Sequence, residues 1–259
     1  MEHNRDEHII LRRFRIIYRV IAFCTSLTMT VVLLLTIASL PEYGKTGNPV
    51  ENEVFSRYVE SGLKETGAVN IVAAVILDYR AFDTFGETVV LFTALVAVLM
   101  LLRGERTVFI NRYQEENKYE PENDQIFQTI ASILTPCVLL FGIYVVANGH
   151  LSAGGGFAGG AILGAAMILY HIAFGLDKTR QFLNEKTFYR AVVCALMFYC
   201  VAKGYSFFTG GNHLPSAIPL GKPGSIFSAG LILPLNIAVG VVVAGTVYGF
   251  FSLFNRGGL

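Results

Sequence analysis

Nine residues have side chains and spacing suited to moving ions or protons: Lys203, His171, Asn236, His150, Ser152, Asp78, Asp83, Thr84 and Glu87. Lysine and histidine carry protons, amide and hydroxyl oxygens ligate hard cations such as sodium, and carboxylates do both. The densest group is "DYRAFDTFGE", which runs from Asp78 to Glu87 and includes Arg80. On a helix Asp83 and Glu87 stand one turn apart on one face, and with Thr84 they offer oxygen ligands to sodium. The same residues also suit a salt-bridged turn in which Asp83 or Thr84 caps a helix. No histidine or cysteine cluster with metal-ligand spacing occurs, so no metal beyond transiently bound Na+ and no cofactor is expected.

The other candidates lie within or beside apolar runs, where an ionisable group is costly and is a functional candidate by default. Lys203 is the lysine or arginine set deepest in residues 125–255, 14 residues after Tyr189, or about 20 Å along a helix. Such a lysine serves either as an anchor that snorkels to the surface or as part of a cation path. His171 near the inner end of its run suits a membrane interface or a proton relay. His150 and Ser152 flank a glycine-rich turn, which reads as a solvated turn or as backbone lining a water or ion path. Asn236 can ligate sodium through its carbonyl but carries no proton, and Pro234 frees a backbone carbonyl nearby.

What must hold these residues is a set of membrane helices. Of the 259 residues, 53% are hydrophobic and 15% charged, with mean hydropathy +0.54, against about 25% charged in soluble domains. Six runs approach the roughly 20 apolar residues that cross a bilayer. They fall at about 20–40, 88–102 (starting near 85), 126–147, 155–175, 189–208 and 226–254. The last is long enough to need tilt or a break, for which Pro234 is placed. The apolar stretch at 68–77 is too short to span and reads as a re-entrant or interfacial helix over 67–79. The expected fold is therefore all-α, with about six spans and one short helix.

Lysines and arginines concentrate on the side that holds both termini, which predicts an N-in, C-in chain. No cleavable leader is expected. No basic–aromatic stripe points to nucleic acid; the lipid bilayer is the expected surroundings. Cys24, Cys137, Cys194 and Cys200 all fall in apolar runs without CxxC spacing and read as buried small hydrophobes. A polar stretch at 111–124 divides a 1–110 segment with two spans from a 125–259 domain with four.

Gly149, Gly154, Gly155, Gly156, Gly159 and Gly160 crowd into twelve positions. Phosphate-binding fingerprints need a preceding strand, or a Gly-Lys-Ser/Thr ending, and neither is present. The pairs Gly155/Gly159 and Gly156/Gly160 put small residues one turn apart, which lets a neighbouring helix approach closely.

Two stretches resemble known families. "NGHLSAGGGFAGGAILGAAMIL" resembles the GHxxPGGGFxGG signature of the B subunit of Mrp-type multisubunit sodium/proton antiporters, over about residues 125–255, with Ala153 where the pattern has proline. "VNIVAAVILDYRAFDTFGE" is similar to a segment near the C-terminal end of the antiporter A subunit, whose equivalent in membrane-bound hydrogenases is a separate small protein, the E subunit. Asn70, Asp78, Arg80, Phe82, Asp83, Thr84 and Glu87 fit that pattern, whereas Ala73 replaces an asparagine. The resemblance implies a fusion of an E-like segment with a B-type domain in a noncatalytic subunit of a cation/proton antiporter module, moving Na+ and H+. Its partners would be the other subunits of an Mrp-type or hydrogenase-like complex. A sodium-translocating arm of a redox-driven, hydrogenase-like or sulfur-reducing complex is the alternative, and a purely structural spacer the third.

Overall fold

A computed structural model describes residues 2–40, 44, 52–103, 125–182, 185–214 and 216–257. The polar stretch expected at 111–124 lies outside them. Every regular element among the described residues is helical, and six helices are long and apolar enough to cross a membrane. The chain divides into two units, Met1–Phe55 and Ser56–Leu259.

The first unit is built on α1 (Glu2–Ala38), whose membrane-length part is Ile16–Ala38. Its Thr25, Thr28, Thr30 and Thr36 hydroxyls each donate to the carbonyl four residues back. That back-bonding hides polar hydrogens that hydrocarbon cannot solvate. A single turn, α2 (Glu53–Ser56), reaches the boundary between the units.

In the second unit a π-turn (Arg57–Ser61) leads into α3 (Gly62–Thr66), and α4 (Ile71–Ala74) runs on as a second π-turn (Val75–Tyr79). The short helix expected over 67–79 is thus helical from Ile71, with Asn70 as its N-cap. Four long helices follow α5 (Ala81–Arg103): α6 (Gln125–Ala147), α7 (Gly156–Phe182), α8 (Glu185–Gly211) and α9 (Ile232–Gly257). Gly175 breaks α7 at φ 79°, so its spanning part is Gly156–Gly175.

The centre is α9, 61% of whose most apolar window is buried, against 33% at most for the other spans. Leu235, Val239 and Val243 of α9 meet Tyr199 of α8 and Ala73, Ala74 and Leu77 of the α4 segment in one core. The short helix therefore docks on the bundle through its alanine face.

Four expectations need correction. The sixth span begins at Ile232, not near 226. Pro234 lies in its first turn, where the missing N–H would have had no intrahelical partner, so the proline starts the helix and frees no carbonyl within it. The second span begins at Ala81, so Asp83, Thr84 and Glu87 lie on the helix itself. The four cysteines are exposed on outward faces of their helices and are not core residues; an apolar run fixes membrane depth but not the face each residue takes.

Candidate functional site

The glycine-rich turn 148–155 joins α6 to α7, and Gly154 and Gly155 adopt φ +150° and +140°, which side chains disfavour. No local residue caps α7. Instead Asn236 of α9 accepts a hydrogen bond from Gly156 N through Oδ1 at 2.9 Å, while its Nδ2 has no partner among the described residues. This occupies the carbonyl expected to hold sodium with a structural bond, although a carbonyl has a second lone pair.

The glycines of α7 face two ways. A Cβ on Gly159 would strike Val146 and the Gly142 carbonyl of α6. One on Gly156, Gly160 or Gly164 would meet α9, at the Asn236 carbonyl (2.5 Å), the Gly240 carbonyl (2.7 Å) and Val247 (2.9 Å) respectively. Gly155 stands in the turn, 3.2 Å from Asn236 Oδ1 by the same measure. Small residues here let three backbones approach closely.

The turn is clamped by the E-like segment. Asn70 Nδ2 donates to Gly149 O at 2.8 Å and to Ser152 O at 2.9 Å, and Asn70 N donates to His150 O at 3.0 Å. The Asn70 Oδ1 meanwhile accepts from Val72 N and Ala73 N. One asparagine thus caps a helix and grips the glycine turn. His150 is fully buried, not solvated, with Nε2 3.3 Å from Ser225 O. A carbonyl only accepts, so Nε2 carries a proton, while Nδ1 has no partner among the described residues. Ser152 is exposed, its hydroxyl turned back to Asn148 O.

Lys203 does not reach the surface. It is 4% exposed and donates to Asp78 Oδ1 at 2.9 Å, while the Asp78 side chain is 40% exposed. Asp78 sits in the π-turn Val75–Tyr79, a local winding found disproportionately at functional sites. Arg80 pairs with Asp83 instead, 2.6 Å away and exposed. Thr84 is buried and gives its hydroxyl to Ile76 O, and Tyr199 gives its own to Ala81 O. Glu87 is exposed on α5. Asp78, Asp83, Thr84 and Glu87 therefore do not converge on one oxygen-lined cavity, and no group of three acidic, histidine or cysteine residues suited to a metal occurs among the described residues.

At the opposite end of the bundle His171 is buried, against expectation of an interfacial ring. Asn255 Nδ2 donates to its Nε2 at 3.2 Å, so Nδ1 bears the proton and faces the Tyr248 oxygen at 3.0 Å. His171 is thus held between two polar groups of α9.

Outside the spans, Glu65 accepts from Tyr79 at 2.5 Å and from Arg57 at 3.2 Å. The Tyr79 bond, then Arg57, holds the Glu65 carboxyl below its ordinary range. Burial and then the Glu65 contact push the Tyr79 phenol up to about 12.

Sequence reasoning passed over Asn70 as a clamp and Tyr199, Tyr248, Asn255 and Ser225 as partners. Their contacts join positions 75 to 118 residues apart. One half of the ion pair carried a signal: a lone lysine in an apolar run needs a counter-charge.

Residues 126–249 match the domain related to the MnhB subunit of the Na+/H+ antiporter, and residues 21–110 match the E subunit of MBH. An uncharacterized protein of Methanocaldococcus jannaschii is 34% identical over 203 residues, covering 71% of this chain and 76% of that one. A chain of the membrane-bound sulfane sulfur reductase, an archaeal respiratory membrane complex, is 28% identical with TM-score 0.62, covering 92% of this chain and 97% of its own. A chain of the Mrp complex from Dietzia sp. shares the fold at TM-score 0.63 and 24% identity; the match covers 92% of this chain and 26% of that larger one.

Proposed function

We propose, because this chain belongs to the family of membrane proteins related to the MnhB subunit of Na+/H+ antiporters, here joined to a segment of the MBH E-subunit type, that it is a noncatalytic subunit through which sodium is exchanged for protons. It is a multi-pass membrane subunit of a cation/proton antiporter-like module that works with other subunits of a multisubunit complex. The reading places it in a prokaryotic cytoplasmic membrane with both termini inside. The observation that carries it is the Lys203–Asp78 pair: a 4%-exposed ammonium deep in a spanning helix, held by a carboxylate of the E-like segment. Such a charge is retained at a desolvation cost, and ion handling is a function that uses it.

One observation favours a second reading, in which the module is driven by redox chemistry elsewhere in the complex. The match to the sulfane sulfur reductase spans nearly the whole of both chains. One purification tests both. The intact complex is isolated through this chain, its subunits identified, and its sodium-dependent proton flux measured in vesicles. Antiporter-like subunits alone support the first reading, and co-purifying metal-bearing redox subunits support the second. Vesicles with no cation-dependent proton movement under either drive overturn the transport role.

A further inference from the structure

We propose that Asp78 is an exchange site at which a sodium ion and the Lys203 ammonium compete, so that binding one sodium ion expels the Lys203 proton. The proposal rests on the reading of the chain as a cation/proton subunit and names the site within it.

Lys203 sits eight residues before Gly211, about 12 Å from that end of the helix, and its carboxylate partner comes from a segment that does not span. The two partners are unequally placed. Lys203 is closed in at 4% exposure, whereas two-fifths of the Asp78 side chain is reachable from outside the subunit. A carboxylate offers about four lone-pair sites and one ammonium occupies one of them. A hard cation can therefore approach Asp78 from the open side, with water completing its oxygen shell.

Two cations do not share one half-buried carboxylate cheaply. Once sodium neutralises Asp78, Lys203 becomes a buried ammonium without a counter-charge, the costliest arrangement available to it. The charge is removed by releasing a proton to water, and the amine remains. The balance is simple: sodium enters, a proton leaves, and the nitrogen keeps its electron pair. Before the exchange the site holds one carboxylate and one ammonium; after it, one carboxylate, one sodium ion and a neutral amine. Its net charge stays zero throughout, which a low-dielectric interior favours. Reprotonation of Lys203 reverses the exchange.

Of the titratable neighbours named on the adjoining elements, all but Glu87 are otherwise engaged. Tyr79 bonds Glu65 and Arg80 holds Asp83. Tyr199 donates to Ala81 O, and Tyr205 accepts from Ala217 N. Glu87 lies exposed on α5.

The test uses the purified intact complex in weakly buffered detergent, without any gradient. Sodium chloride is added against choline chloride, with radioactive sodium binding and indicator-detected proton release measured together. Wild type should release about one proton per sodium ion at this site, as binding through a competing protonated group requires. Lys203→Ala should keep this sodium site and lose its proton release. Asp78→Asn should lose both. Lys203→Arg should weaken sodium binding without proton release, since guanidinium stays charged. Should the single variants fail to assemble, the uncharged pair Asp78→Asn/Lys203→Met should assemble and lack one sodium site relative to wild type. Undiminished proton release from Lys203→Ala, or an undiminished number of sodium sites in either Asp78→Asn complex, overturns the exchange site while leaving the transport role standing. A wild-type complex that binds no sodium overturns both.

Discussion

Asn236 Oδ1 lies 2.9 Å from the backbone nitrogen of Gly156, so the first turn of one spanning helix is capped by a side chain of another. The sequence just before α7 offers only glycines, which cannot do this. Removing the amide leaves a buried N–H unpaired, a cost of about 1–3 kcal/mol. Asn236→Leu should therefore lower the thermal stability of the detergent-solubilised complex, while Ile237→Val, on the exposed side, should not. Unchanged stability in Asn236→Leu together with weaker sodium binding would replace the cap with a ligand role.

The two glycine faces of α7 give a sharper contrast. Gly160→Leu places bulk against the Gly240 carbonyl, and Gly159→Leu against Val146 and Gly142. Each should cost about 1–3 kcal/mol through overpacking and reduce accumulation of the assembled subunit. Gly204 of α8 has open space where a Cβ would go, so Gly204→Ala should be tolerated. Normal assembly with abolished transport in Gly159→Leu would mean that these glycines line a path.

The Asn70 clamp predicts that the two family segments hold together without a covalent link. Asn70 makes three cross-segment hydrogen bonds to the glycine turn, and Lys203–Asp78 adds an ion pair. A chain cut within residues 114–120 should still co-purify as two pieces. Asn70→Ala should release the E-like piece from the cut protein while the uncut chain still assembles. Retention of both pieces after Asn70→Ala would move the hold to the alanine face of α4.

How far the sequence reached follows from what each residue interacts with. Apolar length announced the six spans and the short helix because crossing hydrocarbon is a constraint on consecutive residues. The glycine spacing announced close packing but not its two directions, since Gly159 turns to α6 and Gly160 to α9. Lys203 was recognisable as an exceptional residue. Its partner was not, because Asp78 stands 125 positions away and shares a local "DYR" with Arg80, which suggested the wrong neighbour. Asn236 was singled out for its amide, and only the tertiary fold brings Gly156 N to it. His171 was expected at an interface from its depth alone, yet Tyr248 and Asn255 enclose it.

The last prediction concerns pH and the Arg57–Glu65–Tyr79 group. Glu65 is held below its ordinary value of 4.5, so its contribution is complete above that value and drains as pH falls through the lowered one. Tyr79 is raised from 10.0 to about 12, so its contribution is complete below 10 and is lost as pH climbs through about 12. Between those limits the group should be insensitive to pH. Arg57 is well exposed and salt screens it, so Tyr79, the first cause of the Glu65 shift, is the residue to change. Tyr79→Phe keeps the ring stacked on Tyr58, 4.6 Å away, and removes only the hydroxyl. The Glu65 carboxyl should then return toward 4.5. Hydrogen-exchange protection over residues 57–66, corrected for intrinsic rates, should fail at higher pH in Tyr79→Phe than in wild type as the solution is acidified. Superimposable profiles would show that the hydroxyl contributes nothing to holding this segment.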